Sequence, residues 1–491
     1  MTHLAVRKMK TAQEYIDSMR KMRFELYMFG EQVADHVDNP LIRPAMNCVA
    51  ATYELAEETR FPQYRDLMTA TSHLTGKKIN RFCHIHQSVD DLVKKSGMGR
   101  VLGAHTGSCF QRCVGMDALN ALSMVTYDID VKHGTGYNER FLKYLRYVQD
   151  EDLVCDGAMT DAKGDRSLRP SQQADPDLYL HVVEEKPDGI VVRGNKMHQT
   201  GAVNAHEIIC MPTRAMLEDD QDYAISFALP ADTQGIVYIY GRQPGDTRKI
   251  DGPNLDTGNI LYGGQECMVV FDDVFVPWER VFMYREYDFA GDLVEKFSSY
   301  HRQSYACKSG IGDVLIGASQ LAAEYQGTSK ASHIREKILD MIHLNETMMS
   351  CSLACAYEGH REASGTYLVD ALRANVSKLN VTRFPYDIAR LAQDIAGGLI
   401  ATMPSEKDLK HPRIGKYIAK YLKGVEGVPV EDRIRVLRLV ENLTMGSGAA
   451  CYLAESMHGA GSPMAQRIMI GRQSDVERMK NSARRLCGIE P

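Results

Sequence analysis

Phe271-Asp272-Asp273-Val274-Phe275-Val276-Pro277-Trp278-Glu279-Arg280-Val281 closes a region of short β-branched runs and opens a helical one. Upstream of it, residues 178–183, 190–193, 207–211, 223–228, 235–240 and 267–271 read as strands. Turn residues such as Pro187-Asp188-Gly189 separate them. Downstream, apolar residues recur at helical spacing over 285–325, 331–358, 364–399 and 429–446, and four long helices suggest an antiparallel bundle. Residues 404–430, with Pro404, Pro412, Gly415, Gly424, Gly427 and Pro429, read as an excursion between bundle helices. Before residue 151 the pattern is again helical, near 43–56, 62–72, 87–97, 108–128 and 136–150. Thr11-Ala12-Gln13-Glu14 has the form of a capping box. Tyr15, Met19, Met22 and Leu26 follow at helical spacing, with Gly30 as a stop. The expected class is α+β, in three parts: an N-terminal helical domain (1–150), a middle β domain (151–283) and a C-terminal four-helix bundle (284–491).

The chain has 491 residues and a net charge of -6, with 25 % of residues charged, so no basic excess points to nucleic acid. No apolar run is long enough to span a membrane. The first ten residues contain no hydrophobic signal core, so a cytoplasmic location is expected. The 12 cysteines are scattered rather than framed as a disulfide scaffold, which leaves reduced thiols free for metal binding. The 25 methionines read as flexible core filler.

Four residues carry the most chemistry. Cys109 and Cys113 lie in Gly107-Ser108-Cys109-Phe110-Gln111-Arg112-Cys113. His301 and Cys307 lie in Tyr300-His301-Arg302-Gln303-Ser304-Tyr305-Ala306-Cys307-Lys308. Three thiols and an imidazole can hold an iron–sulfur cluster, and the imidazole-bound iron then has the weakest ligand. Such an iron is suited to Lewis-acid work on a substrate. Spacing alone also fits two core thiols, because Cys109, Cys113, Met116 and Asn120 would share one helical face. Cys351 and Cys355 repeat that spacing in an apolar helix and read as core.

The 271–281 stretch resembles the strand-to-helix junction of acyl-CoA dehydrogenases, which implies that fold, FAD between the β domain and the bundle, and a homotetramer. Gly157-Ala158-Met159-Thr160-Asp161-Ala162-Lys163-Gly164-Asp165-Arg166, His198-Gln199-Thr200-Gly201 and 393–398 resemble flavin-contacting segments. Together with the thiol and histidine motifs, Gly263-Gly264-Gln265-Glu266 and the 455–463 stretch, nearly the whole chain resembles the 4-hydroxybutyryl-CoA dehydratase family. Its wider kin are the FAD-dependent 4-hydroxyphenylacetate 3-monooxygenases.

That resemblance implies reversible dehydration of 4-hydroxybutyryl-CoA to crotonyl-CoA and isomerisation of vinylacetyl-CoA. The hydrogen lost from C3 is not acidified by an adjacent carbonyl. A flavin that takes one electron from the enolate gives a radical whose C3 hydrogen is far more acidic, so a redox cofactor serves a reaction without net redox change. The resemblance implies a [4Fe-4S] cluster on Cys109, Cys113, His301 and Cys307, with His301 also the base at the α-carbon. It gives Tyr305, Glu266, Glu455 and Lys308 catalytic roles. Flavin contacts fall to Met159, Thr160, Lys163, Gly164, Asp165, His198 and Thr200. The family has two small residues between the tyrosine and the cysteine, and here Ala306 stands alone. The backbone at 305–306 is therefore expected to leave regular helix through a π-bulge or an opened turn. The rival reading is a flavin monooxygenase of the same fold, which needs no iron. A CoA-binding protein without catalysis and an ordinary acyl-CoA dehydrogenase are further alternatives.

Overall fold

The computed structural model describes residues 9–57, 59–251 and 255–489. The first eight residues, part of the segment read as lacking a secretion signal, lie outside them. Among the described residues no helix is long and apolar enough to cross a membrane.

The 271–281 stretch forms the end of one strand and the path out of its sheet. Along Glu266–Pro277, Cys267, Val269, Phe271, Val274 and Val276 are buried. Inward residues alternate until Phe271, then resume at Val274. The register against Gly189–Thr200 shifts between those two residues, and Asp273 takes φ 53°. The Asp272-Asp273 doublet is thus a β-bulge that keeps both apolar residues inward and sends two carboxylates outward. Asp273 pairs there with Arg193.

Two sheets make the middle region. The first runs in the order Glu31–Gln32, Glu25–Met28, Ile236–Tyr240, Glu266–Pro277, Gly189–Thr200, His181–Lys186. The second runs Val281–Tyr284, Ile225–Pro230, Glu207–Cys210, Cys155–Ala158. Phe271 of the first meets Phe227 of the second edge-on at 6.1 Å. After Pro277 the chain crosses through Trp278–Arg280 into the second sheet, then enters the helix Tyr287–Ser304, which carries His301.

The N-terminal segment departs from the all-helical expectation. The capping box at Thr11 forms, but its helix ends at Met19. Phe24, Leu26 and Met28 are buried in alternation, and Glu25–Met28 pairs in parallel with Ile236–Tyr240. The period-2 pattern fits a sheet face and overrides the helical spacing of Leu26. The 62–72 stretch likewise ends in the strand Thr69–Thr71, paired with Lys78–Asn80. Helices Arg43–Glu54, Val89–Thr106, Cys113–His133 and Tyr137–Glu151 complete this part.

Four long helices share the C-terminal core: Cys307–Gln326, Ser332–Tyr357, Phe384–Ala396 and Val430–Thr444. They bury Ile311 and Leu315, Ile334 and Met341, Ile388 and Ile395, and Leu437 and Leu443 against one another. The periodic stretch 364–399 splits into Ala371–Val381 and Phe384–Ala396, with Pro385 in the first turn of the second helix.

Asp156, in the strand Cys155–Ala158, is buried with neither carboxylate oxygen hydrogen-bonded. Burial pushes its pKa from the ordinary 3.8 to about 7. The folded state therefore holds a proton that the unfolded chain has lost between those values. Stability must fall as pH rises through that window, by up to about 4 kcal/mol. Asp156→Asn mimics the protonated form, so it should raise the melting temperature at pH 8 and leave it nearly unchanged at pH 4. Thermal melts at both pH values check this, and equal shifts would contradict the buried-proton account.

Candidate active site

The helix Val89–Thr106 crosses Cys307–Gln326 at unusually short range. A Cβ on Gly103 would lie 2.2 Å from the Cys307 carbonyl oxygen, and one on Gly310 would lie 2.1 Å from that of Arg100. Only glycine at these positions permits the approach. It seats Cys307 in an apolar pocket with Cys113, Phe110, Met116, Met98 and Leu102.

Cys109 and Cys113 do not share a helical stripe, contrary to the sequence expectation. The helix Val89–Thr106 ends at Gly107 in the left-handed region, Gln111 takes φ 62°, and the next helix begins only at Cys113. The loop between is firmly held. The Arg112 guanidinium lies between the Tyr53 and Phe82 rings, at 4.4 and 4.8 Å, and donates to Thr52 Oγ1 at 2.9 Å. Asn204 Nδ2 donates to Gln111 Oε1 at 2.7 Å. All three thiols are buried, and burial pushes each pKa up. Cys109 lies in the electrostatic range of Cys113, Lys308 and Cys451. Among the described residues, no three His, Cys, Asp or Glu side chains gather around one point as for a single ion.

Tyr305 and Ala306 interrupt the helix, as the spacing required. The interruption tightens the chain instead of opening it. Ala306 N donates to Gln303 O, Lys308 N to Tyr305 O and Ser309 N to Ala306 O, each at 3.0 Å. These i to i+3 bonds wind the backbone as a 3-10 turn, not as a π-bulge. A π-helix occurs elsewhere in the site, at Ala450–Ala454, directly before Glu455.

His301 Nδ1 lies 2.9 Å from Asp117 Oδ2, and Ser304 Oγ donates to the same oxygen at 2.8 Å. Asp117 Oδ1 faces Lys95 Nζ at 2.7 Å. The His301 ring packs between Phe297 and Tyr305, at 5.5 and 5.4 Å. The Tyr305 hydroxyl has no hydrogen bond among the described residues. It lies so close to Gly459 that a Cβ there would overlap it. Lys308 Nζ donates to Glu455 Oε2 at 2.8 Å and to the Cys451 carbonyl. Burial opposes the Lys308 charge, but Glu455 and the neighbouring thiols hold its pKa well above the lysine range. Glu266 accepts from Thr200 Oγ1 at 2.6 Å. Burial, then the charge of Glu455, raises the Glu266 pKa well above the carboxylate range.

The site also uses residues that the sequence reading passed over. Asp117 and Lys95 brace His301. Cys451 is a fourth thiol beside Cys109, with Ser108 Oγ 3.7 Å away. Lys378 Nζ lies 4.5 Å from the Tyr305 ring centroid and donates to Ser456 O at 2.6 Å. Arg302 Nε donates to Ala460 O at 3.2 Å. Two buried basic side chains thus grip the 456–461 segment, in which Ala460 takes φ 54°. The readable signal for Asp117 was an acid four residues after Cys113 in an otherwise apolar helix.

The two segments around 159–165 and 196–200, which the resemblance assigns to flavin, lie side by side. Met197 N donates to Thr160 O at 2.6 Å, and Lys196 Nζ donates to Met159 O at 3.1 Å. Lys163, Gly164 and His198 take positive φ. Asp165 is exposed and accepts from Ser167 N and Oγ, at 2.9 and 2.7 Å. The 393–398 segment closes the helix Phe384–Ala396, and its Asp394 pairs with Lys337 at 2.6 Å.

The comparisons agree with this geometry. Residues 11–283 match the family described as 4-hydroxyphenylacetate 3-hydroxylase N terminal, and 290–488 match its C-terminal counterpart. The oxygenase component of 4-hydroxyphenylacetate 3-monooxygenase complexed with FAD superposes with TM-score 0.84 at 25 % identity, over 97 % of this chain and 98 % of that one. The fold is thus that of an FAD-binding class. A 4-hydroxybutyryl-CoA dehydratase/vinylacetyl-CoA-Delta-isomerase of Clostridium aminobutyricum is 56 % identical over 98 % of this chain and 99 % of its own length. An oxygen-tolerant archaeal 4-hydroxybutyryl-CoA dehydratase from N. maritimus superposes with TM-score 0.96 at 53 % identity, over 99 % of this chain and 96 % of that one. The chain belongs to the 4-hydroxyphenylacetate 3-hydroxylase family and, within it, to the 4-hydroxybutyryl-CoA dehydratases.

Glu266→Gln keeps the size and hydrogen bonds of the protonated acid but has no proton to move. Activity should fall by about 10²- to 10⁴-fold, with the melting temperature at pH 7 within a few degrees of wild type. Turnover and thermal melts check this together, and near-normal turnover would remove Glu266 from proton transfer.

Proposed function

We propose that this chain catalyses the reversible dehydration of 4-hydroxybutyryl-CoA to crotonyl-CoA and the isomerisation of vinylacetyl-CoA, with FAD and a [4Fe-4S] cluster. One observation carries the reading. Cys113 and Cys307 belong to one buried apolar cluster, and His301 is tied through Nδ1 to Asp117, which leaves its other ring nitrogen without a hydrogen bond among the described residues.

The donor set fits both groups. Cys109, Cys113, Cys307 and His301 would hold the cluster, since thiolate and imidazole are its usual ligands. Met159, Thr160, Lys163, Gly164, Asp165, His198 and Thr200 would hold FAD. Lys163 and Arg166 have no ion pair among the described residues, which suits a pyrophosphate. When bound, the flavin supplies one-electron chemistry and the cluster supplies Lewis acidity.

The chain's own groups handle orientation and protons. His301 Nε2, when it is not ligating, would accept the proton from the α-carbon of the thioester. Tyr305 presents a hydroxyl that no protein group occupies, and it donates to a substrate oxygen. Glu266 carries a proton to give, while Glu455, paired with Lys308, is placed to accept one. Lys308 adds a fixed positive charge where negative charge develops. His301, Tyr305 and Lys308 are buried and Glu266 and Glu455 are half-buried, which limits water and strengthens each interaction.

The domain limits near residues 150 and 284, a cytoplasmic location and a homotetramer belong to the same reading. The tetramer is supported by exposed apolar side chains on the C-terminal helix Val476–Cys487, where Val476, Met479 and Leu486 are 51 %, 52 % and 79 % exposed. The monooxygenase alternative draws only on distant likeness, and no observation at the site favours it.

Protein purified without oxygen should carry about one FAD per chain, together with iron and sulfide. Cys113→Ala should lose the iron while remaining soluble. His301→Ala should lose dehydration while keeping most of its FAD. Absorption spectra with iron, sulfide and flavin analysis test all three. Iron-free wild-type protein, or full iron and activity in Cys113→Ala, would leave the monooxygenase-type or inactive reading.

A further inference from the structure

We propose that Asp117 is the residue that sets the tautomer of His301, by holding its Nδ1–H so that only the Nε2 lone pair remains available. This rests on the reading of His301 as an iron ligand.

A carboxylate only accepts hydrogen bonds, so the Asp117–His301 contact puts the ring hydrogen on Nδ1. In the neutral ring the acceptor is then Nε2. No hydrogen bond reaches Nε2 among the described residues. The ring cannot easily turn, because Phe297 and Tyr305 flank it.

Asp117 is itself immobile. Its side chain is fully buried on the helix Cys113–His133, one turn after Cys113 and on the same face. Lys95, from the helix Val89–Thr106, fixes Oδ1 and also donates to the carbonyl of Tyr300 at 2.9 Å, the residue before His301. Ser304, one turn after Tyr300, fixes Oδ2. The His301 ring and the backbone leading into it are thus held by the same buried pair.

A purely structural role explains this arrangement less well. A buried ion pair costs desolvation and is by itself weak evidence for stability. Lys95 and Asp117 would satisfy each other without the ring and without Ser304. The convergence of both further groups on Oδ2 is what a ligand-orienting carboxylate requires, since outer partners of a ligating histidine set its tautomer and direction. Asp117 lies on a helix other than that of His301. The ring therefore keeps its orientation whether or not Nε2 has a partner, and one nitrogen can serve as ligand and as base without turning.

The test compares wild type, Asp117→Asn, Ser304→Ala and the charge-neutral double variant Lys95→Met/Asp117→Asn, all purified without oxygen. An Asn amide can show either oxygen or nitrogen to Nδ1, so it frees the tautomer with little change in volume. Iron release to a chelator, the absorption spectrum, FAD content and turnover are measured. Asp117→Asn should lose iron about 10- to 100-fold faster and lose turnover to a similar degree. Its FAD content should match wild type, and its spectrum should change. The double variant should behave alike, with the unpaired lysine removed as a cause. Should Asp117→Asn fail to fold, Ser304→Ala decides, with a several-fold faster iron release expected. Wild-type iron release, spectrum and turnover in the soluble variants would overturn the proposal. A wild-type chain without iron would instead refute the dehydratase reading itself.

Discussion

The absence of side chains at Gly103 and Gly310 lets two helices meet at backbone contact, and the site depends on that contact. With a methyl at Gly103, the Cys307 carbonyl would be 2.2 Å away, and the helices would separate. Cys307 would then leave the pocket it shares with Cys113. Lys95 and Gly99 lie on the same stripe as Gly103, at intervals of four residues. One face of the helix Val89–Thr106 therefore sets two of the proposed ligands. Gly99 and Gly103 admit Cys307, and Lys95 holds Asp117 against His301.

Electrostatics in this interior follow from pairing. Lys95 with Asp117, Lys308 with Glu455 and Lys196 with Asp161 each neutralise charge within 3 Å, in surroundings where an isolated charge would be very costly. Lys378 lacks a carboxylate partner among the described residues. Burial, then Lys308 and Arg302, hold its pKa well below the lysine range. Glu266 is shifted the other way, its pKa raised by burial and then by Glu455. Such opposed shifts in one site are the usual sign of assigned proton roles. They also mean that removing one partner leaves the other charged and buried, so single substitutions here act on more than one residue.

The backbone does not specify the reaction. Proteins named for an aromatic monooxygenase and for a CoA-thioester dehydratase superpose on this chain with TM-scores of 0.84 and 0.96. Function resides in the side chains that a shared scaffold presents. Here the thiols, His301 and the carboxylates are the side chains proposed for that part.

Much of this was legible in the linear chain, because local patterns decide it. The run 267–271, the turn at Pro187-Asp188-Gly189 and the capping box at Thr11 read correctly as strand, turn and helix start, although the strand runs on to Pro277. The missing residue between Tyr305 and Cys307 announced a break in the helix, and the break is there. Tertiary contacts decided the rest. Leu26 joined a sheet because Ile236–Tyr240, more than two hundred residues away, offered it an edge. Cys109 left the helix of Cys113 because the chain must turn at Gly107 and Gln111 to bring Arg112 between two rings. The turn at 305–306 tightened rather than bulged, with i to i+3 bonds that wind it as a 3-10 turn. No spacing rule could reveal that Asp117, Lys95 and His301 meet, because they lie on three helices and touch only once those helices pack.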